Sequence, residues 1–287
     1  MSRRRVDHVL SLCRRVISLD PNYAQAWALL ARCITVRGAD SGATEEAWAA
    51  ADRALALDPE LAEAHAVRGW LLTRAGRYEE ASPEIERSLQ LDPLSADANR
   101  RAGVWAKAMR RFADASRYLE VAGRLDPHDM ISLTMAAECR LAVGDAAGAQ
   151  ALARQAVSRA EAAIAMDSGD GLAMAEAVGA LVVLGEVDRA RDWAEHAKLL
   201  EPDDVRLRYN MCCAMVRAGD TDYGIELLEE ALRRAGPDLV RWTRVDNGLD
   251  PIREDARFLE IVAQAEARWF QNGRQSPQPP PSASPPG

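Results

Sequence analysis

The sequence predicts an all-α, right-handed solenoid of stacked helical hairpins with a C-terminal capping helix. Three observations predict it. First, prolines stop helical stretches at regular intervals: Leu19-Asp20-Pro21, Leu57-Asp58-Pro59, Leu91-Asp92-Pro93, Leu125-Asp126-Pro127 and Leu200-Glu201-Pro202. Pro59, Pro93 and Pro127 are 34 residues apart, and Ser168 precedes Pro202 by the same 34. Proline cannot continue a helix, and a unit this short buries its apolar face only by stacking on a neighbour. Second, alanine is the commonest apolar residue while Phe, Trp and Tyr make up only 5%, which suits closely packed helices better than strands. Third, a glycine recurs between paired helices, at Gly38, Gly76, Gly144, Gly185 and Gly219, with Arg110 the exception. These are positions where a helix end wants a left-handed residue.

Taken in order, residues 1–23 read as an N-terminal half-repeat. Its helix, over 4–19, carries Val9, Cys13 and Val16 and has no partner before it. Residues 24–237 hold six hairpins. The first places Trp27, Leu30, Ala31 and Ile34 on one stripe and Ala47, Ala51 and Ala54 on the facing one. The second gives His65, Arg68, Gly69 and Leu72, then Ala81, Ile85 and Ser88. The third gives Asn99, Ala102, Gly103 and Ala106, then Ala115, Leu119 and Ala122. These are i, i+3, i+4, i+7 and i, i+4, i+7 spacings, each the signature of one helix face.

Two intervals break the 34-residue rule. Pro21 and Pro59 are 38 apart, and the excess fits the turn Gly38-Ala39-Asp40-Ser41-Gly42. Pro127 and Ser168 are 41 apart. Two extra turns fit inside a helix with about 20° of phase drift, so a long helix is expected from about Ala146 to Ala165. The fifth hairpin resumes with Met174, Ala177, Leu181, Ala190, Ala194 and Ala197, and the sixth has Met211, Cys212, Met215, Leu228 and Ala231. Residues 238–270 form the cap, its last helix over about 255–270 carrying Phe258, Ile261, Val262 and Trp269. Residues 271–287, rich in Pro, Ser and Gln, cannot bury enough apolar surface to fold.

A net charge of −8 argues against a nucleic-acid partner, which a basic excess usually announces. There is no apolar run of the length a membrane span needs. Arg3-Arg4-Arg5 suggests an export signal, but Asp7, His8, Arg14 and Arg15 break the apolar stretch it requires. The five cysteines show no CxxC spacing. They read as small buried residues of a reducing compartment, so a cytoplasmic protein is expected. No cofactor, metal or catalytic activity is expected either. The four histidines are scattered, phosphate-loop and H-E-x-x-H patterns are missing, and Gly169-Asp170-Gly171 continues to Met174 where a dinucleotide loop needs glycine. Acidic groups such as Glu79-Glu80, Asp203-Asp204 and Glu229-Glu230 are expected on solvated faces and turns.

The hairpin pattern resembles the tetratricopeptide repeat over roughly residues 24–237: the small residues of its W-x2-L-G-x2-Y, A-x3-F and P signature match, while most aromatics are replaced by aliphatics. The resemblance implies a scaffold whose first helices line a concave groove. Carried over position by position, the groove residues are Gln25, Arg32, Trp70, Thr73, Arg74, Arg100 and Lys107, then Ile131, Glu138, Leu172, Ala175 and Val182, then Arg206, Tyr209 and Cys213. The groove is therefore expected to be basic in its N-terminal half and apolar beyond, and to take a protein or peptide segment that is acidic or ends in a carboxylate. Arginine and exposed tryptophan are interface anchors; the alternative is that these cations only keep the helices soluble. The chaperone-tail clamp is not matched, because Ala28, Arg32 and Val67 stand at its offsets.

A second resemblance covers the cap. Leu249-Asp250-Pro251-Ile252-Arg253-Glu254-Asp255-Ala256-Arg257-Phe258 is similar to the closing run L-D-P-L-R-D-D-P-R-F of bacterial multidomain proteins, and Tyr209-Asn210 with Cys212 is similar to the Y-N-x-A-C run before it. In such proteins the array often follows a class III nucleotide cyclase, a kinase or a winged-helix transcriptional regulator. The resemblance thus implies an alternative: the regulatory part of a bacterial signalling enzyme without its effector domain. The half-repeat adds one more expectation. Val6, Val9, Leu10, Leu12, Cys13, Val16, Ile17 and Leu19 surround most of its helix; one side should pack on Trp27 and Leu30, while the other, with Val6 and Leu10, should be covered by a second copy of the chain or by a domain lost upstream.

Overall fold

The computed structural model describes residues 3–37 and 45–270. Among them α1 (Arg3–Leu19) stands alone and six antiparallel hairpins follow. These are α2 (Ala24–Arg37) with α3 (Glu45–Leu57), α4 (Ala62–Arg74) with α5 (Tyr78–Leu91), and α6 (Ala96–Ala108) with α7 (Phe112–Leu125). Then come α8 (Met130–Ala142) with α9 (Ala146–Met166), α10 (Gly171–Val183) with α11 (Val187–Leu200), and α12 (Val205–Ala218) with α13 (Thr221–Arg234). The cap is α14 (Pro237–Thr243), a 3-10 turn over Asn247–Ile252, and α15 (Ala256–Phe270). The architecture is a right-handed α-solenoid of tetratricopeptide-like hairpins with a C-terminal capping helix, and no strand occurs among the described residues.

The hairpins close where the small residues predict. Ala31, Ala47, Ala51 and Ala54 are buried in the first, and a Cβ on Gly69 would lie 2.7 Å from Ile85 Cγ1 in the second. That glycine sets how closely α4 approaches α5. Between the helices Gly76, Gly144, Gly185 and Gly219 all adopt positive φ, and Arg110, the sequence exception, takes the same left-handed conformation at φ 56°. The turn at 38–42 and the tail at 271–287 lie outside the described residues.

Three of the turns between repeats are tied by the first residue of the packing stripe. Trp27 Nε1 donates to the Pro21 carbonyl at 3.0 Å, Asn99 Nδ2 donates to the Pro93 carbonyl at 3.0 Å, and His65 Nε2 lies 2.9 Å from the Pro59 carbonyl. Three chemically different side chains therefore do one job, satisfying a carbonyl that the broken helix leaves open. The next helix often starts on an aspartate: Asp145, Asp170, Asp204 and Asp220 each accept a backbone N–H of the first turn. The lengthened helix α9 ends at Met166, which projects into solvent at 92% exposure.

The N-terminal helix differs from expectation in which residues it shows. Val6, Leu10 and Cys13 are buried with Leu30, Cys33, Ile34 and Trp48. The apolar residues left outside are Leu12, Val16 and Leu19, exposed by 46%, 37% and 79%. The reason is spacing: 6, 10 and 13 form one helix face, and that face is the one α2 takes.

Candidate functional site

Successive first helices of the hairpins turn one face inward, and a cavity of about 230 Å³ lies between them. Thr35 and Val36 of α2 bound one end, while Leu239 and Trp242 of α14 and the following Asp246 bound the other. Of the ten polar and aromatic groove residues named from the sequence, seven line this cavity: Trp70, Arg74, Arg100, Lys107, Glu138, Arg206 and Tyr209. Ile131, Ala175 and Cys213 join them, whereas Leu172 and Val182 pack against the core. The other three fall outside it. Gln25 is exposed on α2, Arg32 pairs with Glu63 at 3.1 Å, and Thr73 is buried with its hydroxyl donating to the Gly69 carbonyl at 2.8 Å.

The expected basic half is not basic, because acidic side chains enter the groove with the cations. Asp97 takes Arg101 at 2.7 Å and Arg100 at 3.1 Å, and Asp129 stands 3.8 Å from Arg100. Burial would push the Asp97 carboxyl up, but Arg101 and Arg100 hold it well below the usual carboxylate range. Lys107 lies 3.5 Å from Glu138, which also pairs with Arg217. Burial opposes the charge of Lys107, yet Asp246 and Glu138 keep its pKa above that of an ordinary lysine. Trp70 is flanked by Arg74 at 5.8 Å and Arg101 at 5.5 Å from its ring centre, so its π-face is already engaged by cations of the same chain. A Cβ on Gly179 would lie 2.8 Å from Glu138 Oε1. Glycine there leaves room for the Glu138–Arg217 pair to cross α10.

Sequence reasoning placed acidic groups mainly on solvated faces and did not assign Asp97, Glu176, Trp242 or Asp246 to the groove. For two the signal was present. Asp97 stands four residues after Pro93, the offset at which Gln25 follows Pro21 and Arg206 follows Pro202. Glu176 stands eight residues after Ser168, the offset of Arg101 and Met135 after their prolines, and all three line the cavity. Trp242 and Asp246 come from the cap and obey no repeat.

Asp246 closes the C-terminal end. It is buried, and its Oδ2 accepts Tyr209 Oη–H at 2.9 Å and Trp242 Nε1–H at 2.8 Å, while Oδ1 accepts the Gly248 N–H at 2.9 Å. Burial disfavours its charge, but Lys107 and these donors hold its pKa below the ordinary value. Burial and Asp246 together push the Tyr209 phenol well up, so it stays a neutral donor. Arg110, at the left-handed turn between α6 and α7, reaches across to Asp250 at 2.8 Å. The cap is thus bound to the third hairpin as well as to the sixth.

No family model matches the chain, and no curated protein sequence matches it. Solved structures match over most of its length. Against the human IFIT1 dimer with m7Gppp-AAAA the TM-score is 0.59 at 14% identity, covering 95% of this chain and 66% of that one. Against the APC/C hetero-tetramer Cut9-Hcn1 it is 0.56 at 13% identity, covering 91% and 46%. Against PilW, a type IV pilus biogenesis factor, it is 0.50 at 19% identity, covering 71% and 90%. The fold is a tetratricopeptide-type solenoid. At these identities the likeness is one of fold, and function must be argued from the groove. Among the described residues no helix of this solenoid is long and apolar enough to cross a membrane, and no three His, Cys, Asp or Glu side chains gather as a metal cluster.

Proposed function

We propose that this chain is a non-catalytic protein-interaction scaffold that takes a peptide or protein segment into the concave groove of its solenoid. The observation that carries the proposal is the cavity itself, walled by six successive first helices and the cap, with charged side chains turned into it. Its volume of about 230 Å³ is below the roughly 300–1,000 Å³ of small-molecule sites. One or two side chains can enter while the rest of the segment lies across the mouth. Cut9, of like fold, is part of a hetero-tetramer with Hcn1, and a net charge of −8 favours a protein over a nucleic acid here as well.

The test is to pan a phage-displayed random heptapeptide library on the full chain, then titrate one retained peptide. Trp70→Ala should weaken binding about tenfold or more, as loss of an aromatic anchor does. Arg206→Glu, at an exposed position on the groove rim, should alter binding without touching the core. Retained peptides indifferent to both variants would place the binding surface elsewhere.

Three further parts of the reading have their own support. The five free cysteines are all buried, which supports a reducing, cytoplasmic setting. Association with a second copy would use Leu12, Val16 and Leu19, the apolar residues that α1 leaves outside, and light scattering at several concentrations would detect it. The signalling-enzyme alternative rests on the likeness of residues 249–258 to the closing run of such proteins.

A further inference from the structure

The charges of the cavity do not all find partners. Arg100 and Arg101 share Asp97, Lys107 and Arg217 share Glu138, and Asp246 is filled by three donors. Glu176 on α10 is different. Its backbone carbonyl accepts the Thr134 hydroxyl at 2.9 Å, but among the described residues its carboxylate has neither a hydrogen bond nor an ion pair within 4.0 Å. It lines the cavity, only partly exposed, beside the apolar walls of Ile131, Met135 and Ala175.

We propose that Glu176 anchors a basic side chain, lysine or arginine, of a segment that enters the cavity. This rests on the groove reading above and supplies its chemistry. Arg100, Arg101 and Lys107, on which an acidic ligand would depend, already meet carboxylates within the chain, whereas a carboxylate held in the cavity wall without a partner among the described residues is costly until a cation arrives. The apolar walls suit the aliphatic stem of such a residue, which packs its methylenes and presents its charge at the end. A net charge of −8 draws a basic partner in from a distance.

The surroundings of Glu176 make the proposal readable by pH. Burial pushes its carboxyl up to about 7. Arg206 from α12 and Arg100 from α6 pull it down, and Asp129 at the start of α8 pushes it further up. Glu138 of α8 and Arg217 of α12 meet each other at Gly179, one turn along α10, and α9 and α11 pack behind α10 through buried alanines such as Ala156 and Ala190. A bound cation favours the ionised carboxylate, so binding at low pH must first remove a proton. Affinity should therefore rise about tenfold per pH unit below 7 and level off above it.

The experiment is to pan the heptapeptide library on the full chain at pH 8, with the Glu176→Gln variant alongside. The expected result is enrichment of Lys or Arg at one peptide position, lost in the variant, together with a pH profile that rises through 7 in the wild type and is flat in E176Q. The folded content of E176Q is read from its circular dichroism; should it fail to fold, the wild-type profile and peptide enrichment decide. Enrichment of Asp or Glu, basic enrichment that survives E176Q, or affinity that falls as pH rises would each overturn the proposal. If peptides are retained without charge preference, the groove reading stands and this inference fails. If no peptide is retained, both fail.

Discussion

Replacing Asp246 by alanine tests how the cap holds the solenoid. The carboxylate accepts Tyr209 Oη–H, Trp242 Nε1–H and the Gly248 N–H at 2.8–2.9 Å and is the strongest single support of the Lys107 charge. Alanine would leave a buried phenol and amide without acceptors, at about 1–3 kcal/mol for each unmet group. Removing one side of a buried charge pair costs about 3–5 kcal/mol. These contributions overlap, so a total near 4–5 kcal/mol is expected, a large share of the roughly 5–15 kcal/mol that holds a domain. A solenoid need not lose this stability uniformly, because each repeat contacts only its neighbours. Hydrogen exchange should show faster opening in residues 205–270 and a smaller change in α4 and α5. The same carboxylate predicts a pH effect. Its folded pKa is lowered, so its contribution is present above the unfolded carboxylate value and is lost as pH falls through the folded one. If D246A opened all repeats equally, or left the cap's exchange within twofold of wild type, the lock would not exist.

Four other outcomes are expected. Glu176→Gln should raise the melting temperature at pH 8 and leave it unchanged at pH 4, because a carboxyl pushed up to about 7 costs stability as pH rises through that window, by up to about 3 kcal/mol for a shift of this size. Leu30→Ala, at a buried position, should cost roughly 2–5 kcal/mol by cavity formation, while Arg32→Ala, which loses only a partly exposed pair with Glu63, should cost about 1 kcal/mol or less; equal losses in thermal denaturation would refute the phase assigned to α2. Arg110→Gly relieves a left-handed arginine at φ 56° but gives up the exposed Asp250 pair, so urea denaturation should find a net change within about 1 kcal/mol. Leu12→Glu with Val16→Glu should abolish any concentration-dependent light scattering without lowering the melting temperature, whereas Val6→Glu, in the core, should unfold the N-terminal hairpin.

The repeat, the helix pairing, the stretched α9 and the left-handed turn at Arg110 were all legible in the sequence. Each depends on residues within a few turns of one another, and a proline stop or a buried alanine acts locally whatever the rest of the chain does. Part of the cavity lining was legible for the same reason: once the phase is known, the inward offsets follow, and Trp70, Arg100, Lys107 and Arg206 line the cavity at those offsets. What those charges face was not legible. Lys107 meets Glu138, Glu138 meets Arg217 across 79 residues, and Arg110 reaches Asp250 across 140. These pairings depend on the curvature of the superhelix, which accumulates from small rotations at every repeat interface, and no spacing within one repeat encodes it. The tertiary structure alone decided that Arg100, Arg101 and Lys107 meet carboxylates of the same chain, that the cap shuts one end of the groove, and that Glu176 is left without a partner among the described residues.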